Sequence, residues 1–144
     1  MTQSKQQAPS ARWYATVALA LCMWREARGE GLEGMRAVAH VVRNRHLGGW
    51  GSLVQVITAP KQFSSMSLRG DTQTTAWPSD TDGSFAAALL MADQMLSGTP
   101  GPDPTGGALY YENKAVATSE WFIKNVRNRM RQTATIGNHT FYAP

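Results

Sequence analysis

Apolar side chains recur at three- and four-residue intervals through much of this chain, the spacing that lines one face of an α-helix. Over 11–25 they fall at Trp13, Tyr14, Val17, Leu21 and Trp24. Ser10 precedes them, a residue type whose side-chain oxygen caps helix N-termini. This segment is apolar nearly all round, as in a helix enclosed within a domain. Gly29, Gly31 and Gly34 then break the pattern. A second helix is predicted over 32–46, with Met35, Val38, Val41 and Val42 inward and Arg36, Arg43 and Arg45 outward. Gly48, Gly49 and Gly51 end it. Ser52 caps a short helix over 53–58, which stops before Pro60. The clearest helix runs over 85–96, started by Asp82 or Ser84 and ended at Gly98.

Between these segments the chain turns polar. Residues 61–82 read as a Ser/Thr/Asp-rich loop containing Trp77-Pro78, and 99–107 as an irregular loop rich in proline and glycine. Thr118 or Ser119 caps a short helix through Trp121, Phe122 and Ile123. The tail alternates apolar and polar residues around Gly137-Asn138, the signature of a hairpin. The expected fold is mainly α: a single domain over 11–144 with a small β-hairpin near the C-terminus, preceded by a flexible polar lead over 1–10.

A chain of 144 residues buries enough surface to form a core without staples. Its one cysteine, Cys22, excludes an intramolecular disulfide and reads as a small buried hydrophobe. Charge is unevenly spread: residues 1–70 carry +6, residues 71–113 carry −6 without any Lys or Arg, and residues 114–144 carry +4. Two basic ends suit a polyanionic partner, such as nucleic acid, anionic lipid or a bacterial envelope polymer. No helix-turn-helix or zinc-finger pattern supports nucleic acid. No apolar run reaches the ~18–20 residues of a membrane span. The apolar stretch 15–23 runs into Trp24-Arg25-Glu26 rather than a small-residue cleavage site, so no signal peptide is expected.

Glu26 is the leading candidate for chemistry. It follows an apolar helix and precedes a glycine-interrupted turn, beside Trp24. A carboxyl partly removed from water holds its proton more tightly and can serve as a general acid near neutral pH. The alternative is a surface ion pair with Arg25 or Arg28. His40 reads as a core histidine, His46 as a surface group and His139 as structural. With Cys22 they show no recognised zinc-ligand spacing, so neither metal nor cofactor is expected.

The stretch LALCMWREARGEGLEGMRAVAHVVRNR, residues 19–45, resembles the opening motif of the germination-type cell-wall hydrolases, which include the spore-cortex-lytic enzymes and phage endolysin relatives. Three later blocks match in the same order: Gln62-Phe63-Ser64, the run DPTGGALYY over 103–111 with Asn113, and IGNHTFY over 136–142. The resemblance implies a lysozyme-like, largely helical fold. It also implies cleavage of the peptidoglycan bond between N-acetylmuramic acid and N-acetylglucosamine, with Glu26 as the single catalytic acid of a lytic transglycosylase. Arg25 departs from the family pattern, in which a glycine commonly precedes the catalytic position.

On that reading, Gln62, Phe63 and Ser64 form one wall of a saccharide cleft, and Tyr110, Tyr111 and Asn113 the other. Glu30, Trp24 and His139 are supporting residues. Glu30 is expected to brace the turn through local backbone or Arg28, and Trp50, Trp77 and Trp121 to stack on sugars or anchor core and loops. The expected partner is bacterial peptidoglycan, with anionic envelope polymers beside it, acted on by a monomer that neither binds nucleic acid nor inserts into a membrane. A phage endolysin would gather in the host cytoplasm before reaching the periplasm and wall. Three rivals are kept: a hydrolytic muramidase, a zinc-dependent amidase, and a non-catalytic basic wall-binding module.

Overall fold

The computed structural model describes residues 11–60, 62–67 and 70–144. The expected lead over 1–10, with the Ser10 cap, lies outside them. Helix α1 spans Ala11–Ala27, α2 Gly31–Leu47, α3 Leu53–Thr58, α4 Ser64–Ser67, α5 Gly83–Leu96 and α6 Glu120–Phe122. Strands β1 (Tyr110–Asn113), β2 (Arg131–Ile136) and β3 (His139–Ala143) form an antiparallel sheet in the order β1-β3-β2.

Local chemistry sets the helix limits. Ser52 and Gln55 close a reciprocal capping box on α3, and Asp82, rather than Ser84, caps α5 by accepting the Phe85 N–H at 2.9 Å. Ser119, rather than Thr118, caps α6, which continues as a wide turn over Ile123–Arg127. Between α1 and α2 the chain makes one 3₁₀ turn, Arg28–Glu30, and restarts at Gly31 with φ +75°. Gly34 does not break α2 but lies within it; a Cβ there would overlap the Glu30 side chain.

Helices α1, α2, α3 and α5 enclose the main core, built on Leu19, Met23, Met35, Val38, Ile57 and Phe63. Arg12, at the start of α1, bonds Asp93 and Ser97 at the end of α5, so the two helices run antiparallel. The expectation that α1 is enclosed throughout fails in its first turns. Trp13, Tyr14 and Val17 share one helical face and are exposed; enclosure begins at Leu19.

The expected hairpin is present as β2–β3, and the sheet has a third strand, β1, where no strand was expected. Asp103 organises the approach to β1. It accepts from the Thr105 backbone and hydroxyl at 2.7 Å and from Asn44 of α2 at 2.9 Å. A small second core of Ala37, Val41, Ala108 and Phe141 seats the sheet on α2. Among the described residues no helix is long and apolar enough to cross a membrane.

Candidate active site

Glu26 occupies the last turn of α1, where helix end and sheet meet. Its residue is mostly buried but retains some exposure. Burial pushes its carboxyl up to about 7, helped by the negative charge of Asp71 and opposed by the Ser65 and Tyr111 hydroxyls and the Arg45 cation. A substantial fraction of Glu26 is therefore protonated at neutral pH. The Ser65 hydroxyl, which acts on Glu26, is itself buried.

Strand alternation separates the two tyrosines. Tyr111 pairs with Phe141, and Asn113 with His139, on the sheet face turned towards the helices. The Tyr111 ring packs on His139 at 4.8 Å, on Phe141 at 5.5 Å and on Phe63 at 6.4 Å. Burial and the neighbouring Glu26 raise its phenol well above the ordinary range, so it remains a proton donor. Tyr110 points to the other face, among Trp50, Trp121 and Phe122. Of the two tyrosines offered for the second wall, Tyr111 faces Glu26 and Tyr110 packs on the opposite face of the sheet. On that far face, Glu112 is ion-paired with Arg127 and accepts the Tyr142 hydroxyl at 2.5 Å. Those hydrogen bonds hold the Glu112 carboxyl down to about 2.

The three residues offered for the first wall differ in burial. Phe63 is fully buried and backs Tyr111, presenting no face to a ligand. Gln62 is exposed and Ser64 half-buried at the start of α4. In that block it is the next residue, Ser65, that reaches Glu26. Asn113 accepts the Ala115 N–H at 2.9 Å, closing the turn after β1. His139 is buried against Tyr111, and burial lowers its pKa. Trp24 is buried beneath the Arg28 guanidinium, 3.9 Å from the ring centroid. Glu30 is indeed a brace, but its partner is remote: it accepts the Asn138 N–H at 2.9 Å.

Two arginines complete the surroundings. Arg45, expected outward, is buried: its Nε donates to the Leu109 carbonyl at 2.7 Å and its guanidinium lies over Trp50, Phe63 and Tyr110. Arg25 is also buried and reaches across to the 62–78 segment. It donates to the Ser65 carbonyl at 3.1 Å and the Ala76 carbonyl at 3.0 Å. The alternative, a pairing of Glu26 with Arg25 or Arg28, is not seen: Arg25 donates to the Ser65 and Ala76 carbonyls and Arg28 to the Trp24 carbonyl. Sequence reasoning missed Ser65, Asp71 and Arg45. Only Ser65 carried a signal, its place beside the Gln62-Phe63-Ser64 block. His40 is buried on α2, as a core histidine should be, with its Nδ1 3.8 Å from the Asp103 carboxylate; burial lowers its pKa.

Fold and site together define a lysozyme-like, mainly helical domain. The profile of the cell wall hydrolase family matches residues 29–142, and the chain belongs to that family. The matched span begins just after Glu26. The chain is 34% identical to the spore cortex-lytic enzyme of Oceanobacillus iheyensis over 125 residues, covering 85% of this chain and 39% of that protein. It is 33% identical to the spore cortex-lytic enzyme of Bacillus subtilis, covering 85% of this chain and 35% of that protein. It thus spans well under half the length of these relatives. Among solved structures, the catalytic domain of the germination-specific lytic transglycosylase SleB of Bacillus anthracis aligns with a TM-score of 0.66 at 29% identity, over 98% of this chain and 100% of that one. The catalytic domain of the Bacillus cereus SleB protein aligns with a TM-score of 0.65, also at 29% identity, over 99% and 98%.

Proposed function

We propose that this chain cleaves the glycan strands of peptidoglycan as a lytic transglycosylase, with Glu26 as its one proton-transfer group. The observation that carries the reading is the Glu26 carboxyl, held near 7 by burial beside the Tyr111 phenol. Membership of the cell wall hydrolase family and similarity to SleB catalytic domains support the substrate class.

In this mechanism protonated Glu26 donates to the glycosidic oxygen as the bond to the muramyl C1 breaks. The ring becomes oxocarbenium-like, and N-acetylglucosamine departs with its 4-hydroxyl restored. The Glu26 carboxylate then removes the proton from the muramyl 6-hydroxyl as that oxygen bonds to C1. A 1,6-anhydro ring closes, Glu26 recovers its proton, and no water is consumed. The nucleophile belongs to the substrate, so no second carboxylate has to activate water. Arg45 and Tyr111 favour the charged form of Glu26, which is needed between the two proton transfers.

Hydrolysis is the rival with an observation behind it: the charge of Asp71 acts on Glu26, so a second carboxylate stands nearby. Mass spectrometry of digested peptidoglycan separates the two. Anhydro-muramyl ends support the transglycosylase, and reducing ends the muramidase. The reading extends to a phage endolysin; lysis of permeabilised Gram-negative cells by added protein tests that role.

A further inference from the structure

Three exposed tryptophans stood as candidates for sugar stacking, and the fold separates them. Trp50 packs on Tyr110 and the Arg45 guanidinium, and Trp121 lies against Tyr110 on the same far face of the sheet. Both pack on Tyr110, which alternates to the sheet face opposite Tyr111. Trp77 differs: it is 70% exposed, yet it is held by the residue that precedes Glu26 in the chain. The Arg25 guanidinium sits 4.7 Å from the Trp77 ring centroid, and Arg25 Nε donates to the carbonyl of Ala76, the residue just before Trp77.

The same guanidinium donates to the Ser65 carbonyl, and the Ser65 hydroxyl acts on the Glu26 carboxyl. One buried arginine thus ties an exposed indole to a residue that acts on the acid. We propose that Trp77, pinned by Arg25, is a saccharide-stacking platform beside Glu26 that holds an N-acetylhexosamine ring of the glycan strand. This rests on the function proposed above and assigns a residue that determines how substrate is gripped.

A pyranose ring presents a flat face of C–H groups, and an indole offers it a broad apolar surface with a polar N–H at its edge. An exposed tryptophan normally loses side-chain freedom when it grips a ligand, which offsets part of the gain. Here the cation already covers one ring face and the Ala76 carbonyl is already held, so little freedom remains to lose. Because Trp77 is largely exposed, replacing it leaves the core intact.

The test is calorimetric titration of the Glu26→Gln protein, which leaves substrate uncut, with a soluble hexasaccharide of alternating N-acetylglucosamine and N-acetylmuramic acid. Adding Trp77→Ala is expected to weaken binding roughly tenfold, about 1.4 kcal/mol. Trp77→Phe, which keeps an aromatic face, is expected to restore most of the affinity. With Glu26 present, Trp77→Ala is expected to raise KM and leave kcat and its pH profile in place. Affinity unchanged by Trp77→Ala would overturn the platform alone, and Trp77→Phe as weak as Trp77→Ala would overturn stacking as its mode. Failure of the Glu26→Gln protein to bind the hexasaccharide would overturn the proposed function and the platform with it.

Discussion

The Glu30 carboxylate accepts the Asn138 backbone N–H at 2.9 Å, joining the turn after α1 to the tip of the β2–β3 hairpin across 108 residues of sequence. Glycines make room at both ends. A Cβ on Gly34 or Gly137 would overlap Glu30, and Gly137 sits at φ +57°. The contact ties the hairpin tip, next to His139, to the turn that follows the helix bearing Glu26.

Gly137→Ala therefore imposes two penalties, a left-handed backbone on a residue with a side chain and displacement of Glu30. A loss of about 1–3 kcal/mol is expected from the backbone alone, read by denaturant unfolding. Glu30→Gln, whose side-chain carbonyl can still accept from Asn138, should lose less.

The pH dependence of activity follows from Glu26. The proposed reaction needs its protonated form, so kcat/KM on soluble glycan strands should be level at mildly acid pH. It should fall about tenfold per unit once pH passes about 7. Tyr111→Phe removes a hydroxyl that favours the carboxylate. Glu26 should then hold its proton to higher pH, moving the alkaline limb upward while kcat drops. A purely structural role for Tyr111 would lower kcat without moving the limb.

The same shift makes Glu26 costly to the fold. Its ordinary value is 4.5 and its folded value about 7, so the unfolded chain gives up the proton first as pH rises. Stability present at low pH is lost between those values. Glu26→Gln cannot ionise, so its stability relative to wild type should grow across that window. It should level off about 3 kcal/mol higher above pH 7, measured by urea unfolding at a series of pH values.

Glu112 works in the opposite sense. Arg127 and Tyr142 hold its carboxyl down to about 2, so the stability it contributes is present above its ordinary 4.5 and lost as pH falls from there towards 2. Glu112→Gln should lower Tm at neutral pH and flatten the acid limb of the stability profile, with pH-dependent calorimetry as the check.

Much of the helical frame was legible because its signals are local. The Ser52–Gln55 capping box, the Asp82 cap and the Gly137-Asn138 turn act within a few residues of themselves. Strand β1 was not legible: its four residues become a strand only by pairing with β3, and no local pattern announces a partner some thirty residues away. The burial of Arg45 was missed for a similar reason. Its place on α2 reads as an outward charge, and only the convergence of Trp50, Phe63 and Tyr110 covers it. Within the candidate site, the place of Glu26 at a helix end was legible. The choice between Tyr110 and Tyr111 was not, since it depends on which face of an unforeseen strand meets α2.

The account rests on one proton donor, and its most direct test is the loss of turbidity of purified peptidoglycan with wild-type protein and with Glu26→Gln. The account predicts that the variant, folded and still bound to the wall, is slower by roughly 10²- to 10⁴-fold. Clearing at the wild-type rate by the folded variant would contradict it.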